Sequence, residues 1–398
     1  MTFASQQVIA ERLREVEGSP TLALAAQAKA LKQAGKSVVD LTAGEPDFPT
    51  PAHIKQAGIQ AIQMDRTTYT PVAGIPELRA AVAARVNHQR QTRYTASQAL
   101  VTCGTKHALF NVFQALCQPG DEVVLVSPYW VSFPPLVRLS GAKPVIVQAR
   151  EAEGFLPDPA AVRAAVSASK RARAIVLNSP SNPTGAVLNE ERLKAIAQIA
   201  REQDLIVVSD EIYDQLVYPP ARHVSIVQVD PDLADRTIIV GGVSKTYSMT
   251  GWRIGYAIGP EPWIEAMTTV QSHSTSNPCS ISQHAALAAL TGEQTPVAKM
   301  RQEFERRRDR FVGGLNQLAP LRCLLPGGAF YAWCAVSGLG QPAAVIAARW
   351  LQEALVAAVP GEAFGAEGYV RFSFAAPMEV LTEGLERLRG WLAQEGVG

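Results

Sequence analysis

Lys245 lies at a point in the chain where a reactive amine can be built. It follows a β-branched run, residues 237–240, that is typical of a buried strand, and a Gly-Gly turn at 241–242. An amine at the end of a buried strand is partly desolvated, which lowers its pKa and lets it bond covalently to an aldehyde. Most single lysines are solvated surface charges. Here Ser244 adds a hydroxyl, and Arg253, eight positions further on, adds a planar cation suited to a phosphate.

Four other chemically useful residues follow predicted strands in the same way. Gly104 follows the strand 99–102, Trp130 follows 122–127, Asn182 follows 174–177 and Asp210 follows 205–208. Strands that alternate with helices predict a largely parallel sheet, and such sheets bind ligands at the carboxyl edge. The glycine turn at 104 also opens a helix, whose free amides favour a phosphate. We therefore expect these side chains to share one site with the lysine.

The bulk properties exclude several classes of protein. The chain has 398 residues and a net charge of +1, which does not favour binding to nucleic acid or to an anionic membrane. Its five cysteines form no CxxC pair, which argues against a zinc site or a disulfide framework and fits a reducing cytoplasm. No signal peptide and no membrane-spanning segment is expected. There is no GxGxxG fingerprint and no P-loop, which argues against a nicotinamide dehydrogenase.

The segment from Gly242 to Gly255, GVSKTYSMTGWRIG, resembles the pyridoxal-phosphate attachment segment of class I/II aminotransferases. The resemblance extends over nearly the whole chain and is strongest to the bacterial aspartate aminotransferase branch. It implies an α/β fold of type I: a large domain with a mostly parallel seven-stranded sheet, and a smaller α/β domain. The expected boundaries are 50–290 for the large domain, with 1–49 and 291–398 forming the small one. It also implies a homodimer.

The same resemblance implies roles at the cofactor. Lys245 would carry pyridoxal phosphate and move a proton, Asp210 would keep its ring nitrogen protonated, and Tyr213 would assist at its phenolate oxygen. Tyr69, in a Y-x-P-x-x-G segment, would reach the cofactor phosphate of the neighbouring subunit. The cofactor-binding residues expected in total are Lys245, Gly104, Thr105, Lys106, Trp130, Asn182, Asp210, Tyr213, Ser244, Arg253 and Tyr69.

The substrates implied are amino acids and 2-oxo acids. Arg371 would bind the α-carboxylate, since a guanidinium pairs with a carboxylate through two hydrogen bonds. Lys106 matches a lysine that takes part in recognising acidic substrates in this branch. Aspartate with 2-oxoglutarate or oxaloacetate is therefore expected, and prephenate and aromatic amino acids are the alternatives. The substrate-binding residues expected in total are Gly44, Lys106, Trp130, Asn182 and Arg371.

Other readings of the chain remain open at this point. A pyridoxal-phosphate β-lyase or a cyclopropane-forming synthase shares these motifs, and a cofactor-binding regulator would need an added DNA-binding module.

The sequence further predicts an amphipathic helix over 5–18 and a helix over 21–34. It predicts an edge strand at 369–374 and, in the run Arg306 to Arg310, a solvated helix face.

Overall fold

The computed structural model describes residues 10–16, 18 and 20–396. Most of the helix expected over 5–18 lies outside the described residues, and the described part contains a short 3₁₀ turn, Glu11–Leu13. The helix expected over 21–34 is present as α1 (Pro20–Gln33). The chain alternates strands and helices as the sequence predicts.

The strands are numbered in chain order. They are β1 (Val39–Asp40), β2 (Ala99–Thr102), β3 (Glu122–Ser127), β4 (Lys143–Gln148), β5 (Ala172–Asn178), β6 (Ile206–Asp210), β7 (Thr237–Gly242), β8 (Gly255–Ile258), β9 (Arg322–Cys323), β10 (Tyr331–Ala335), β11 (Val356–Ala357), β12 (Val359–Pro360) and β13 (Tyr369–Ser373).

The helices after α1 are numbered likewise. They are α2 (Ala52–Gln63), α3 (Pro76–Arg90), α4 (Thr105–Leu116), α5 (Phe133–Leu139), α6 (Pro159–Ala168), α7 (Glu190–Glu202), α8 (Ile226–Val229), α9 (Glu261–Ser272), α10 (Ser280–Thr291), α11 (Thr295–Leu315), α12 (Ala343–Arg349), which continues as a π-helical turn over Trp350–Ala354, and α13 (Met378–Gln394).

The largest sheet has seven strands in the order β2-β8-β7-β6-β5-β3-β4. β4, β3, β5, β6 and β7 run parallel to one another, and β8 runs antiparallel to both β7 and β2. The central strands are buried on both faces, which explains their continuous apolar runs. The carboxyl ends of β5, β6 and β7 therefore meet at one edge, where Asn178, Asp210 and Gly242 end their strands.

A second sheet of four strands has the order β12-β13-β10-β9 and is antiparallel throughout. β13 lies between β12 and β10, so the expectation of an edge strand at 369–374 is wrong. Its side chains alternate, but both of its edges are hydrogen-bonded. Two short strands close to each other in the chain join different sheets: β11 pairs with β1, and β12 pairs with β13.

The expectation of a solvated arginine face on α11 is also wrong for two of its residues. Arg307 and Arg308 are only 6% and 4% exposed. Arg307 donates to Asp47 Oδ1 at 2.7 Å and lies over the Phe48 ring, and Arg308 lies over the Tyr218 ring. Both cations are buried because they extend the apolar stripe of the helix and find partners there.

We propose the domain boundaries near residues 50 and 290. In support, all strands of the seven-stranded sheet fall between 99 and 258, and the four-stranded sheet falls after 320. An apolar cluster that joins Val39 and Leu41 to residues from 300 to 392 links the two chain ends, although it also includes residues 212–218. Among the helices that the structure describes, none is long and apolar enough to cross a membrane.

Candidate active site

The carboxyl edge of the seven-stranded sheet opens into a cavity of about 550 Å³. Segments from both ends of the chain close it, including the loop after β1 and the strand β13. Of the residues predicted for the site, Gly104 lies beside the cavity and Tyr69 lies elsewhere. The others line it: Gly44, Thr105, Lys106, Trp130, Asn182, Asp210, Tyr213, Ser244, Lys245, Arg253 and Arg371.

Lys245 follows β7 at the centre of this edge, as the strand pattern predicts. Its amine donates a hydrogen bond of 2.6 Å to the Gly44 carbonyl. Burial lowers the pKa of Lys245 to about 8, and the nearby Arg253 and Arg371 cations act in the same direction against Glu45 and Asp210. A substantial fraction of this amine is therefore neutral near pH 8, which a nucleophile or a base requires.

Asp210 and Tyr213 lie at the end of β6 and in the turn that follows, and both are 3% exposed. The Ile212 amide donates to Asp210 Oδ1 at 3.2 Å. Burial raises the pKa of Asp210 to about 7, and the neighbouring Glu211 charge adds to this effect. A cationic N–H partner inside the cavity would stabilise the ionised form of such a carboxyl. The Tyr213 hydroxyl lies 2.8 Å from the Tyr331 hydroxyl.

One corner of the cavity has the donors that a phosphate needs. Thr105 begins α4, whose first amides have no partner within the helix, and the Ser244 hydroxyl and the Arg253 guanidinium line the same cavity. Gly104 has φ +84°, and a Cβ there would lie 2.2 Å from Arg253 Nη2. Only glycine therefore lets the cation approach the start of this helix. The Arg253 Nη1 donates to the Thr250 carbonyl at 2.8 Å, which fixes its direction.

Arg371 is 3% exposed and lies across the cavity on β13. Its Nη1 donates to Asn182 Oδ1 at 2.9 Å, and its Nη2 donates to the Thr42 carbonyl at 2.8 Å. Its Nε is buried without a partner, and among the described residues no carboxylate pairs with it. A buried guanidinium without a counter-charge is a strong site for an incoming carboxylate.

Lys106 and Trp130 line the cavity together. The Lys106 ammonium lies 5.0 Å from the centre of the Trp130 ring, within the range of a cation–π contact. Partial burial and the Arg253 cation lower the pKa of Lys106. Its side chain is nonetheless solvent-exposed, so it can meet a second anionic group of a ligand.

The structure adds residues to the site that the sequence pattern did not indicate. Tyr331 is fully buried, and its ring lies 4.4 Å from the Arg371 guanidinium carbon. Asn178 lines the cavity and accepts the Asn182 amide at 2.9 Å. Asn178 ends a strand, so the strand-end rule contained its signal. Tyr331 starts β10 opposite Ser373 of β13, and the sequence does not give that register.

Tyr69 is not brought to this cavity within the chain. It is 90% exposed on the loop before α3. Its predicted role concerns a second subunit.

Known proteins resemble the chain over almost its whole length. The sequence pattern of the family described as aminotransferase class I and II matches residues 36–388. Aspartate aminotransferase of Geobacillus stearothermophilus is 43% identical over 390 residues, covering 96% of this chain and 98% of that protein. Aspartate/prephenate aminotransferase of Thermus thermophilus is 46% identical over 382 residues, covering 95% and 97%.

A solved structure, the aspartate aminotransferase from Thermus thermophilus with maleate, has a TM-score of 0.92 and 45% identity. The match covers 96% of this chain and 99% of that one. The mostly parallel seven-stranded sheet and the strand-end lysine agree with this likeness. The chain therefore belongs to the class I and II aminotransferases.

Proposed function

We propose that this aminotransferase uses pyridoxal phosphate to move an amino group from aspartate or glutamate to 2-oxoglutarate or oxaloacetate. The observation that carries the proposal is Arg371, a buried cation that faces the cavity without a carboxylate partner among the described residues. It faces the same space as Lys245 and Asp210. A cation for a substrate carboxylate, a partly neutral amine and a buried carboxyl are the groups that amino transfer needs.

The residues present fit the cofactor. A phosphate suits the start of α4 with Thr105, Ser244 and Arg253, because a Cβ at Gly104 would fill this cradle. The carboxyl of Asp210 suits a protonated ring nitrogen, and Tyr213 and Asn182 suit the phenolate oxygen. Trp130 offers a ring face to stack on. When bound, pyridoxal phosphate supplies an electron sink for the bonds at the amino-acid α-carbon.

The chain's own residues hold the substrate and move the proton. Arg371 holds the α-carboxylate and so turns the Cα–H bond toward Lys245. Lys245 Nζ, once neutral, takes that proton and returns one in the reverse half of the cycle. The Gly44 carbonyl, 2.6 Å from this amine, gives it a fixed resting direction. Asp210, held by the Ile212 amide, stays anionic when it faces a positive charge.

Lys106 supports a dicarboxylate donor over a neutral one. It is exposed to solvent where it lines the cavity that contains Arg371, so one ligand can meet both cations. The solved relative with maleate, a dicarboxylate, agrees with this choice. Prephenate is the second candidate acceptor, because several relatives are named aspartate/prephenate aminotransferase and prephenate is also a dicarboxylate.

We also propose a homodimer in the cytoplasm. Three large apolar side chains on α2 or just after it are exposed: Ile59 at 46%, Ile62 at 54% and Met64 at 63%. Tyr69, in the loop between α2 and α3, is 90% exposed. Apolar side chains exposed in this number favour a protein contact. The five cysteines are all free thiols, which fits a reducing compartment.

The test compares kcat/KM for aspartate and for phenylalanine, with 2-oxoglutarate as acceptor, in the wild type and in Lys106→Ala. Loss of a charge-assisted contact costs about 1.5–3 kcal/mol, so the preference for aspartate should fall by about one to two decades. An unchanged preference would remove Lys106 as the selector. Prephenate is supplied as acceptor in a parallel assay, and product analysis distinguishes amino transfer from pyruvate release by a β-lyase.

A further inference from the structure

The turn after β6 has two faces. Asp210 and Tyr213 line the cavity, whereas Glu211 and Asp214 point to a buried region behind it. The backbone of the turn is closed by a hydrogen bond from the Asp214 amide to the Glu211 carbonyl at 3.0 Å. A displacement of either carboxylate on the rear face would therefore move the two residues on the cavity face.

Arg90, the last residue of α3, occupies that buried region and is 5% exposed. Its Nε donates to Glu211 Oε2 at 2.7 Å, and its Nη2 donates to Asp214 Oδ2 at 2.7 Å. The guanidinium is planar and rigid, so two bonds from one fork fix the separation of the two carboxylates. A lysine would keep the charge but would not reproduce this geometry.

The rest of the cluster holds Glu211 from the other side. Ser209 Oγ and Ser225 Oγ donate to Glu211 Oε1 at 2.8 and 2.5 Å, and His223 Nε2 lies 3.1 Å from Oε2. Both carboxylate oxygens of Glu211 thus have hydrogen-bond partners in a buried environment, and Arg90 is the residue that links Glu211 to Asp214. None of these groups lines the cavity, so they do not touch a ligand there.

We propose that Arg90 is a positioning residue, which keeps Asp210 and Tyr213 in place for the cofactor by bridging Glu211 and Asp214. The inference rests on the proposed function, since the two residues it positions are those assigned to the ring nitrogen and the phenolate oxygen. Catalysis is sensitive to shifts of about 1 Å, even where the mutated residue lies away from the chemistry. The substrate cations Arg371 and Lys106 are on other segments and should keep their positions.

The diagnostic variants are Arg90→Lys and Asp214→Asn, because neither leaves two buried carboxylates without a cation. The control is Asp204→Asn, which breaks the exposed pair of Asp204 and Arg236 in the same way. We expect both test variants to lose about tenfold or more in kcat and in affinity for pyridoxal phosphate. The KM for aspartate should change less than about twofold, and the control should match the wild type.

A second readout does not depend on activity. Amide hydrogen exchange in residues 209–216 of the full-length protein should accelerate in Asp214→Asn and not in the control. Folded variants with unchanged kcat, cofactor affinity and exchange would overturn the proposal, as would a lower melting temperature with kcat and cofactor affinity unchanged. If the wild type itself binds no pyridoxal phosphate, the proposed function fails. Unchanged exchange in Asp214→Asn would then still refute the bridge, and faster exchange would support it.

Discussion

Replacing Asp210 by asparagine should stabilise the cofactor-free protein at pH 8 while it abolishes efficient amino transfer. Burial raises the pKa of Asp210 from its ordinary 3.8 to about 7. Between those two values the folded protein holds a proton that the unfolded chain has already lost. The contribution of Asp210 to the free energy of unfolding therefore falls as the pH rises through this window, and it is lowest above pH 7.

The size of the effect follows from the same two values. A difference of about 3 in pKa corresponds to about 4 kcal/mol, at about 1.4 kcal/mol for each pKa unit. Asparagine has nearly the same shape and cannot ionise, so the variant avoids this loss. At pH 5, just over one pKa unit above 3.8, Asp210→Asn should already be more stable than the wild type, by roughly 1.5 kcal/mol. At pH 8 the variant should be more stable by up to about 4 kcal/mol.

The assay is urea-induced unfolding, followed by tryptophan fluorescence at pH 5, 6, 7 and 8, at one protein concentration and after removal of cofactor. Glu211→Gln is the matched control, because the same replacement of a carboxyl by an amide should there change the stability in the opposite direction. Burial alone would raise the pKa of Glu211, but Arg90 and His223 outweigh burial and hold it far below its usual range. This control should lose stability at every pH tested. The reasoning would be refuted if Asp210→Asn were no more stable than the wild type at pH 8. It would also be refuted if the gain in free energy of unfolding were the same at pH 5 and pH 8.

Three other outcomes are expected. Borohydride reduction of protein loaded with pyridoxal phosphate should leave the pyridoxyl group on the peptide that contains Lys245, and label on another lysine would contradict the assignment. Tyr331→Phe removes a hydroxyl 2.8 Å from that of Tyr213 and should lower kcat about two- to tenfold for aspartate and glutamate alike, whereas a loss confined to KM would point to Arg371 instead. Mixing inactive Lys245→Ala and Tyr69→Ala subunits should restore part of the activity in hybrid dimers, and no recovery despite proven subunit exchange would count against shared sites.

The central sheet and most of the site could be predicted because their signals are local. The runs at β3, β5, β6 and β7 are short and β-branched or apolar, and they end in polar residues or, in β7, in glycines, so strand and strand end are visible together. Parallel strands then bring those ends to one edge, which is where Asp210 and Lys245 lie. The pairing partners of β13 and the split of β11 from β12 depend on residues far apart in the chain, and their local patterns do not specify them.

The burial of charge was harder to predict than the fold. Arg307 and Arg308 stand in a run of charges, and that composition is typical of a solvated face. Their spacing held a contrary signal: Phe304 and Phe311 lie three and four positions from Arg307, on the buried stripe of α11. The partner that makes burial of Arg307 acceptable, Asp47, is 260 residues away along the chain.

What separates the paired buried arginines from Arg371, the cation that we propose binds the substrate, is the presence of a counter-charge, and only the three-dimensional structure shows it. Arg90 and Arg307 are buried, and each donates to carboxylates at 2.7 Å. Arg371 is as deeply buried, yet its partners are the neutral oxygens of Asn182 and Thr42, and its Nε has none. A buried charge that is left uncompensated is costly, which supports the proposal that Arg371 is compensated by binding an anionic ligand. In the sequence all three are arginines within regular elements, whereas in the fold Arg371 alone of the three has no carboxylate partner among the described residues.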